Sequence, residues 1–479
     1  MRQEPLWSGL GLVGALNARV SGGGLPREAT GVSIDTRTLE PGDLFFAIKG
    51  DARDGHDFVP AAFAKGAAAA VVDEAHARDL ASAGPLFVVK DAQIALERLG
   101  AYARARTSAY IAAITGSVGK TSTKDMARVV FSRFGATHAS SASYNNQWGV
   151  PLSLARMPTA SRFGVFEIGM NHAGEIAALV EQVKPHVAVV TRVAPVHLEN
   201  FSTLEAIADA KAEIFGGLLD GGVAILNRDD ATYERLVEAA RASKAGHVFS
   251  FGSGEGVEAR LLSYETQDGV GVASAWIFGR RINYRVGAPG LHIAQNALAV
   301  LLVAHVFDID LEQAAAALED FTPSVGRGRR ETLERDGGTI ALIDESYNAN
   351  PTSMRAAFEL LAATNPGPNG RRVAVLGDML ELGPRSGELH AELGDDLARS
   401  RVDLLFTAGP NMARAFYAAP ESMRGAHRPN AAELEEPLLA ALRPGDVVMV
   451  KGSNGSRMGA LVAALRDSSG NASNGSRGN

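Results

Sequence analysis

Short apolar runs punctuate the chain at intervals that leave room for one helix between each pair. In the first hundred residues the runs at 44–48, 69–72 and 86–89 alternate with Ala-rich stretches of helical character. Pro41-Gly42-Asp43 is a turn signal feeding the first of them. A second series begins with 110–115 and continues at 163–168, 187–191 and 222–227. Residues 248–286 are richer in short strands and turns, and 292–307 reads as one amphipathic helix. A third series runs through 339–344, 372–376, 404–407 and 446–451. Strand–helix alternation of this kind predicts mainly parallel sheets covered on both faces. The expected fold class is α/β in three domains, with boundaries at 1–108, 109–325 and 326–465. The central unit is expected to be a P-loop-type parallel-sheet ATPase domain. A smaller α/β domain precedes it and a Rossmann-like α/β domain follows it. The polar end, 466–479, is expected to be a disordered tail.

A length of 479 residues supports two to four domains rather than one core. The net charge of −7 speaks against a nonspecific nucleic-acid binder, whose affinity comes from neutralised phosphates. The chain has no cysteine, which removes disulfides, thiolate metal sites and a cysteine nucleophile. No stretch is long and apolar enough to span a bilayer, and the N-terminus lacks a signal-peptide pattern. A cytoplasmic protein is expected.

The strongest chemical signal follows the strand at 110–115. The segment TGSVGKTSTKD places Gly116, Ser117, Val118, Gly119, Lys120, Thr121 and Ser122 between that strand and a helix. Glycines let backbone N–H groups converge on phosphate oxygens, and the helix adds its positive end. Lys120 can offset phosphate charge, and the Thr121 hydroxyl can ligate magnesium. The general pattern G-x-x-x-x-G-K-S/T would have glycine where Ile114 stands.

Glu167 ends the strand at 163–168, and His197 follows the strand ending at 191. The carboxyl ends of parallel strands share one crevice, so both can face Thr121. Spacing alone reads them equally well as magnesium ligands or as a solvated acid and a loop histidine. Lys211, within a helical stretch, reads from the residues as a surface lysine.

Taken together, the motifs resemble the Mur ligase family, which joins amino acids to UDP-N-acetylmuramic acid precursors. The resemblance runs to about residue 465. It is carried by DTRTLEPGDLFFAIKG and DGHDF, then by TGSVGKTSTKD, SYNNQWGVPLSL, FEIGMNHAGEI, HLENF, AKAEIF, NRDD and QNALAV. GRGRRE, IDESYNANPTSM, AVLGDMLELG and VKGSNGSRMG extend it through the third unit. The family's loop is one residue pattern shorter, which accounts for Ile114. DESYNANPTSM, GDMLELG and KGSNGSRM resemble the branch that adds D-alanyl-D-alanine to UDP-N-acetylmuramoyl-tripeptide.

The resemblance implies ATP and Mg2+ as cofactors and an acyl phosphate formed on the substrate carboxylate. It implies that residues 116–122, Asn296, Arg327 and Asp344 meet the nucleotide, and that Thr121, Glu167 and His197 hold magnesium. Lys120, Lys211 and His197 would be catalytic, with Lys211 matching a lysine that several members carry as a carbamate. Thr36 and Arg37 would hold the UDP sugar, Asn145 and Asn146 would meet the muramoyl peptide, and Tyr347, Asn348 and Asn350 would sit near the incoming dipeptide or the ATP. A monomer is expected. A different ligase of the same family, a P-loop kinase and a nucleotide-regulated binding protein are the competing readings.

Overall fold

Apolar runs of four to six residues, buried on both faces, become the central strands of a computed structural model describing residues 5–140, 143–196 and 198–474. The strands are β1 (Trp7–Ser8), β2 (Arg19–Ser21), β3 (Glu28–Ala29), β4 (Gly31–Ser33), β5 (Asp43–Phe46), β6 (Ala69–Asp73) and β7 (Leu86–Val89) in the first part. The middle part holds β8 (Tyr110–Thr115), β9 (Thr137–Ala139), β10 (Phe163–Glu167), β11 (Val187–Val190), β12 (Gly222–Asn227), β13 (Ala245–Gly252), β14 (Ala259–Gln267), β15 (Val270–Ile277) and β16 (Arg280–Val286). The last part holds β17 (Arg329–Arg335), β18 (Gly338–Glu345), β19 (Arg372–Gly377), β20 (Leu404–Ala408), β21 (Arg424–Arg428) and β22 (Val447–Lys451).

Among the described residues the first sheet has the order β2-β7-β6-β5-β4, parallel except for β2. The central sheet runs β16-β15-β14-β13-β12-β11-β8-β10-β9. It is parallel from β9 to β14, and an antiparallel meander of β14, β15 and β16 closes one end. The third sheet has the order β17-β18-β22-β19-β20-β21, with only β17 antiparallel.

The central sheet places the site. From β8 the chain crosses to β9 and β10 on one side, then to β11 and β12 on the other. The order reverses at β8, and a crevice opens where the loops after β8, β10 and β11 part. Register aligns the ends: Glu167 lies beside Ile114, and Val190 beside Thr115. Two apolar layers hold the sheet. One includes Met126, Phe131, Phe163 and the helix Leu291–Val306; the other includes Phe166, Ile176, Ile207 and Phe215. Leu198 packs against the second layer and also against the core of the third unit.

The expected tail needs correction. The helix Gly459–Asn474 continues past residue 466, and only 475–479 lie outside the described residues. Buried Leu465 and the Arg466–Glu331 ion pair at 2.7 Å bind this stretch to β17. No helix among the described residues is long and apolar enough to cross a membrane.

Candidate active site

The loop after β8 can take its shape only with glycine at two places. At Gly116, with φ of +149°, an added Cβ would fall 2.0 Å from Thr191 Oγ1. At Gly119, with φ of +90°, it would fall 2.6 Å from Asn296 Nδ2. The loop is pinned to the segment after β11: Ser117 N donates to Arg192 O at 2.6 Å, and Ser117 Oγ donates to Ala194 O at 2.9 Å. Thr191 Oγ1 donates to Val118 O at 2.7 Å. The helix Lys120–Ser132 starts at the loop, with Ser122 half-buried in its first turn. Lys120 Nζ folds back to donate to Gly116 O at 2.6 Å. Burial pushes its ammonium below the usual range; Glu167 opposes that shift and Arg327 adds to it. A glycine cradle, a cation and a helix N-terminus thus converge on one small volume, the donor set that polyphosphate requires.

Thr121 Oγ1 donates to Glu167 Oε2 at 2.8 Å, and Asn145 Nδ2 donates to Glu167 Oε1 at 2.7 Å. The Glu167 carboxylate is 1% exposed. A buried carboxylate beside a hydroxyl, both oxygens held by neutral donors, fits a hard divalent cation that keeps most of its waters. His197 lies outside the described residues. The segment leading to it is anchored by Asp230, whose Oδ2 accepts from Val193 N at 2.6 Å.

Lys211 is not the surface residue its sequence context suggested. It sits in the helix Leu204–Ala212 at 2% exposure. Burial, and next the Lys120 cation, hold its amine well below the usual ammonium range.

From the third unit, Arg327 Nη2 reaches into the central unit to donate to Ser143 Oγ at 2.9 Å. Its guanidinium lies 4.2 Å from the centre of the Tyr347 ring. Asn296 is buried beside Gly119, while its neighbour Gln295 binds Asp229 and Ser253 at 3.1 Å each. Asp344 is turned inward: Oδ1 accepts from Ser346 N and Oγ, and Oδ2 from Gly326 N and Arg466. Asn350 caps the helix Pro351–Ala363, and Asn348 lends its carbonyl to Lys451 Nζ at 2.9 Å.

The first unit presents Thr36 and Arg37 just beyond β4, at the carboxyl edge of its sheet. Arg37 is paired to Asp35 at 2.6 Å and Thr36 O accepts from Lys65 Nζ at 2.7 Å. Asn146 Oδ1 accepts from Gly149 N at 2.9 Å and so starts the helix Gly149–Ala155. The structure therefore gathers Lys120, Thr121, Glu167, Asn145, Asn296, Lys211 and Arg327 into one cleft. It leaves Thr36 and Arg37 on a separate edge.

Several charged groups at the cleft went unread. Lys451, 2% exposed, donates to Glu345 Oε2 at 3.1 Å. His292, at the start of the helix Leu291–Val306, faces Glu345, Lys451 and Arg192, and surrounding protein pushes its imidazole below the usual range. The strand alternation at 344–345 was the available signal, since it sends two adjacent acids to opposite faces.

Three family models match the chain in succession: the Mur ligase family catalytic domain over residues 28–107, the Mur ligase middle domain over 114–304, and the Mur ligase glutamate ligase domain over 328–454. A UDP-N-acetylmuramoyl-tripeptide–D-alanyl-D-alanine ligase from Escherichia coli is 34% identical across 95% of this chain and 97% of its own length. The ligase of the same name from Rickettsia prowazekii is 30% identical across 90% of this chain and 94% of its own length. A crystal structure of MurF from Acinetobacter baumannii superposes with a TM-score of 0.83 at 32% identity, covering 98% of this chain and all of that one. The MurF ligase from Thermotoga maritima, solved in complex with ADP, gives 0.74 at 25% identity, covering 91% and 97%.

Proposed function

The chain belongs to the Mur ligase family, and from that premise we propose how its cleft carries out the family's chemistry. It is an ATP-dependent carboxylate–amine ligase of peptidoglycan precursor synthesis. It joins D-alanyl-D-alanine to the terminal carboxylate of UDP-N-acetylmuramoyl-tripeptide. The single observation that carries the assignment of the site is the Gly116–Thr121 cradle closed against Glu167.

A carboxylate oxygen is a poor leaving group, so the acid must first be activated. The substrate carboxylate attacks the γ-phosphate of ATP, the bond to the β-phosphate oxygen breaks, and ADP leaves. The dipeptide amine then attacks the acyl carbon, phosphate departs and an amide remains. Backbone amides of 116–121 hold the triphosphate, and Lys120 offsets charge on the transferring phosphoryl group. Thr121 and Glu167 would hold magnesium, with His197 assigned as a third ligand. Magnesium supplies charge compensation across the phosphate oxygens. Asn296 meets the adenine, and Arg327 reaches the nucleotide from across the cleft.

Two properties of Lys211 support carbamate formation: an amine held well below the usual ammonium range and a buried position that would protect the product. Its Nζ lone pair would bond to the carbon of CO2 with loss of one proton, placing an anion beside Lys120.

We divide the chain at 108/109 and 325/326. The first unit takes the UDP sugar at Thr36 and Arg37, and the third takes the dipeptide near Tyr347, Asn348 and Asn350. Asp344, expected at the nucleotide, is given instead the role of supporting that third-unit loop from behind, because both its oxygens are engaged inward by Gly326, Ser346 and Arg466. We place the enzyme in the cytoplasm as a monomer.

The test is product analysis by mass spectrometry. Purified chain, ATP, Mg2+, UDP-N-acetylmuramoyl-tripeptide and D-alanyl-D-alanine should yield the pentapeptide product, ADP and phosphate in equal amounts. Phosphate release without the amine, or product with single amino acids instead of the dipeptide, would overturn the reading.

A further inference from the structure

The DGHDF segment takes no part in the chemistry above, yet its side chains form a compact cluster. At the carboxyl ends of β5 and β6, two aspartates and two histidines close a ring. His56 Nδ1 lies 2.6 Å from Asp54 Oδ1, and His56 Nε2 lies 3.7 Å from Asp73 Oδ2. His76 Nδ1 lies 2.6 Å from Asp73 Oδ1, and His76 Nε2 lies 4.0 Å from Asp54 Oδ2. The two imidazoles stack with centroids 4.0 Å apart. His56 is buried and His76 is 40% exposed.

Backbone contacts set which atoms are available. Asp73 N donates to His56 Nε2 at 3.1 Å, so the Nδ1 side of His56 faces the cluster. The Asp73 carboxylate takes His76 Nδ1, which leaves His76 Nε2 turned toward the free oxygen of Asp54. A carboxylate on the far ring nitrogen is the usual orienting partner of a metal-binding histidine. One ligand atom each from Asp54, His56 and His76 lies within 4.8 Å of the others. Neighbouring ligands of a tetrahedral zinc ion stand about 3.3 Å apart, so a contraction of about 1.5 Å or less would seat it.

We propose that Asp54, His56 and His76 form a second metal site, for zinc or a similar borderline divalent ion, with Asp73 orienting His76. The ligand set is two imidazoles and one carboxylate, with a fourth position open to water. The ion would take His56 Nδ1 as the ring's proton moves to Nε2, where the Asp73 carboxylate, 3.7 Å away, can accept it in place of the Asp73 N–H contact; only a second proton carried by His76 would be released to solvent. It would tie the loop after β5 to the loop after β6. This site is distinct in chemistry from the magnesium position, which offers the Thr121 hydroxyl and the Glu167 carboxylate.

The test uses the untagged, chelator-treated full-length chain without nucleotide, titrated calorimetrically with ZnCl2 at pH 7.5. One ion should bind per chain. His76→Ala and Asp54→Asn should each weaken binding at least tenfold, and Glu167→Gln should leave it unchanged. His76 is open enough that its replacement spares the fold, which equal thermal midpoints would verify. Co2+ gives the second readout: ligand-field bands in the wild type that disappear in His76→Ala. Absence of stoichiometric binding would overturn the proposal. Wild-type affinity in both cluster variants, or loss of binding in Glu167→Gln, would also overturn it, because the ion would then sit elsewhere.

Discussion

Lys120 is held by burial on one side and by a single carbonyl on the other, so its charge is under-compensated until phosphate arrives. That makes its contribution conditional on the triphosphate, which is the condition for catalysis rather than for stability. Lys120→Ala should lower kcat for product formation by about a thousandfold or more, roughly 4 kcal/mol of transition-state stabilisation. The urea midpoint should stay within error of the wild type. An unchanged kcat would reduce Lys120 to a binding residue. Gly119 makes a different demand. With φ of +90° and Asn296 Nδ2 at 2.6 Å from an added Cβ, Gly119→Ala must distort the loop or displace the adenine contact assigned to Asn296. Nucleotide affinity, read by ADP titration, should fall at least tenfold while substrate affinity in the first unit is kept.

At the scale of elements, the helix Pro351–Ala363 shows how one residue serves two ends. Asn350 Oδ1 accepts from Ser353 N at 2.9 Å and Ser353 Oγ accepts from Asn350 N at 3.0 Å, a reciprocal cap. Asn350→Ala should cost about 1 kcal/mol of stability. It should also raise KM for D-alanyl-D-alanine with KM for ATP unchanged. A stability loss without the KM split would leave Asn350 a cap alone. The strands themselves were legible in the sequence: 110–115 and 222–227 were read to the residue, because buried parallel strands are short apolar runs between breakers. The crossing order that puts β8 between β10 and β11 was not, since order depends on contacts between residues far apart in the chain. The same limit hid the burial of Lys211, whose amphipathic helix shows a lysine at one position but not the neighbour covering it. It hid the inward turn of Asp344 toward Arg466, more than a hundred residues away. It also concealed that Arg466 and Leu465 bind the expected tail to β17. The phosphate loop was readable because all its parts are consecutive.

At the scale of the whole molecule, a group of histidines in different units is shifted the same way. Burial is the largest influence on His138, His186, His390 and His427, and it pushes each imidazole down. His138, on β9 at the edge of the central sheet, is lowered to about 4 from an ordinary 6.5. Its Nε2 faces Ser153 O at 2.7 Å, and Arg156 opposes a second proton. In the unfolded chain the ring takes up a proton as pH falls through 6.5; in the folded chain it does so only near 4. Between those values the unfolded state binds more protons, so stability present above pH 6.5 is progressively lost and is fully gone below pH 4. The loss attributable to this one ring is at most roughly 3 kcal/mol, reduced by its partial exposure. His138→Gln keeps a donor for Ser153 O and removes the titration. Guanidinium midpoints of the full chain at pH 7.5, 5.5 and 4.5 should therefore fall less steeply in the variant, while the common decline from the other three histidines persists in both. Parallel curves would mean that His138 is protonated without penalty, and that the edge strand opens before the sheet does.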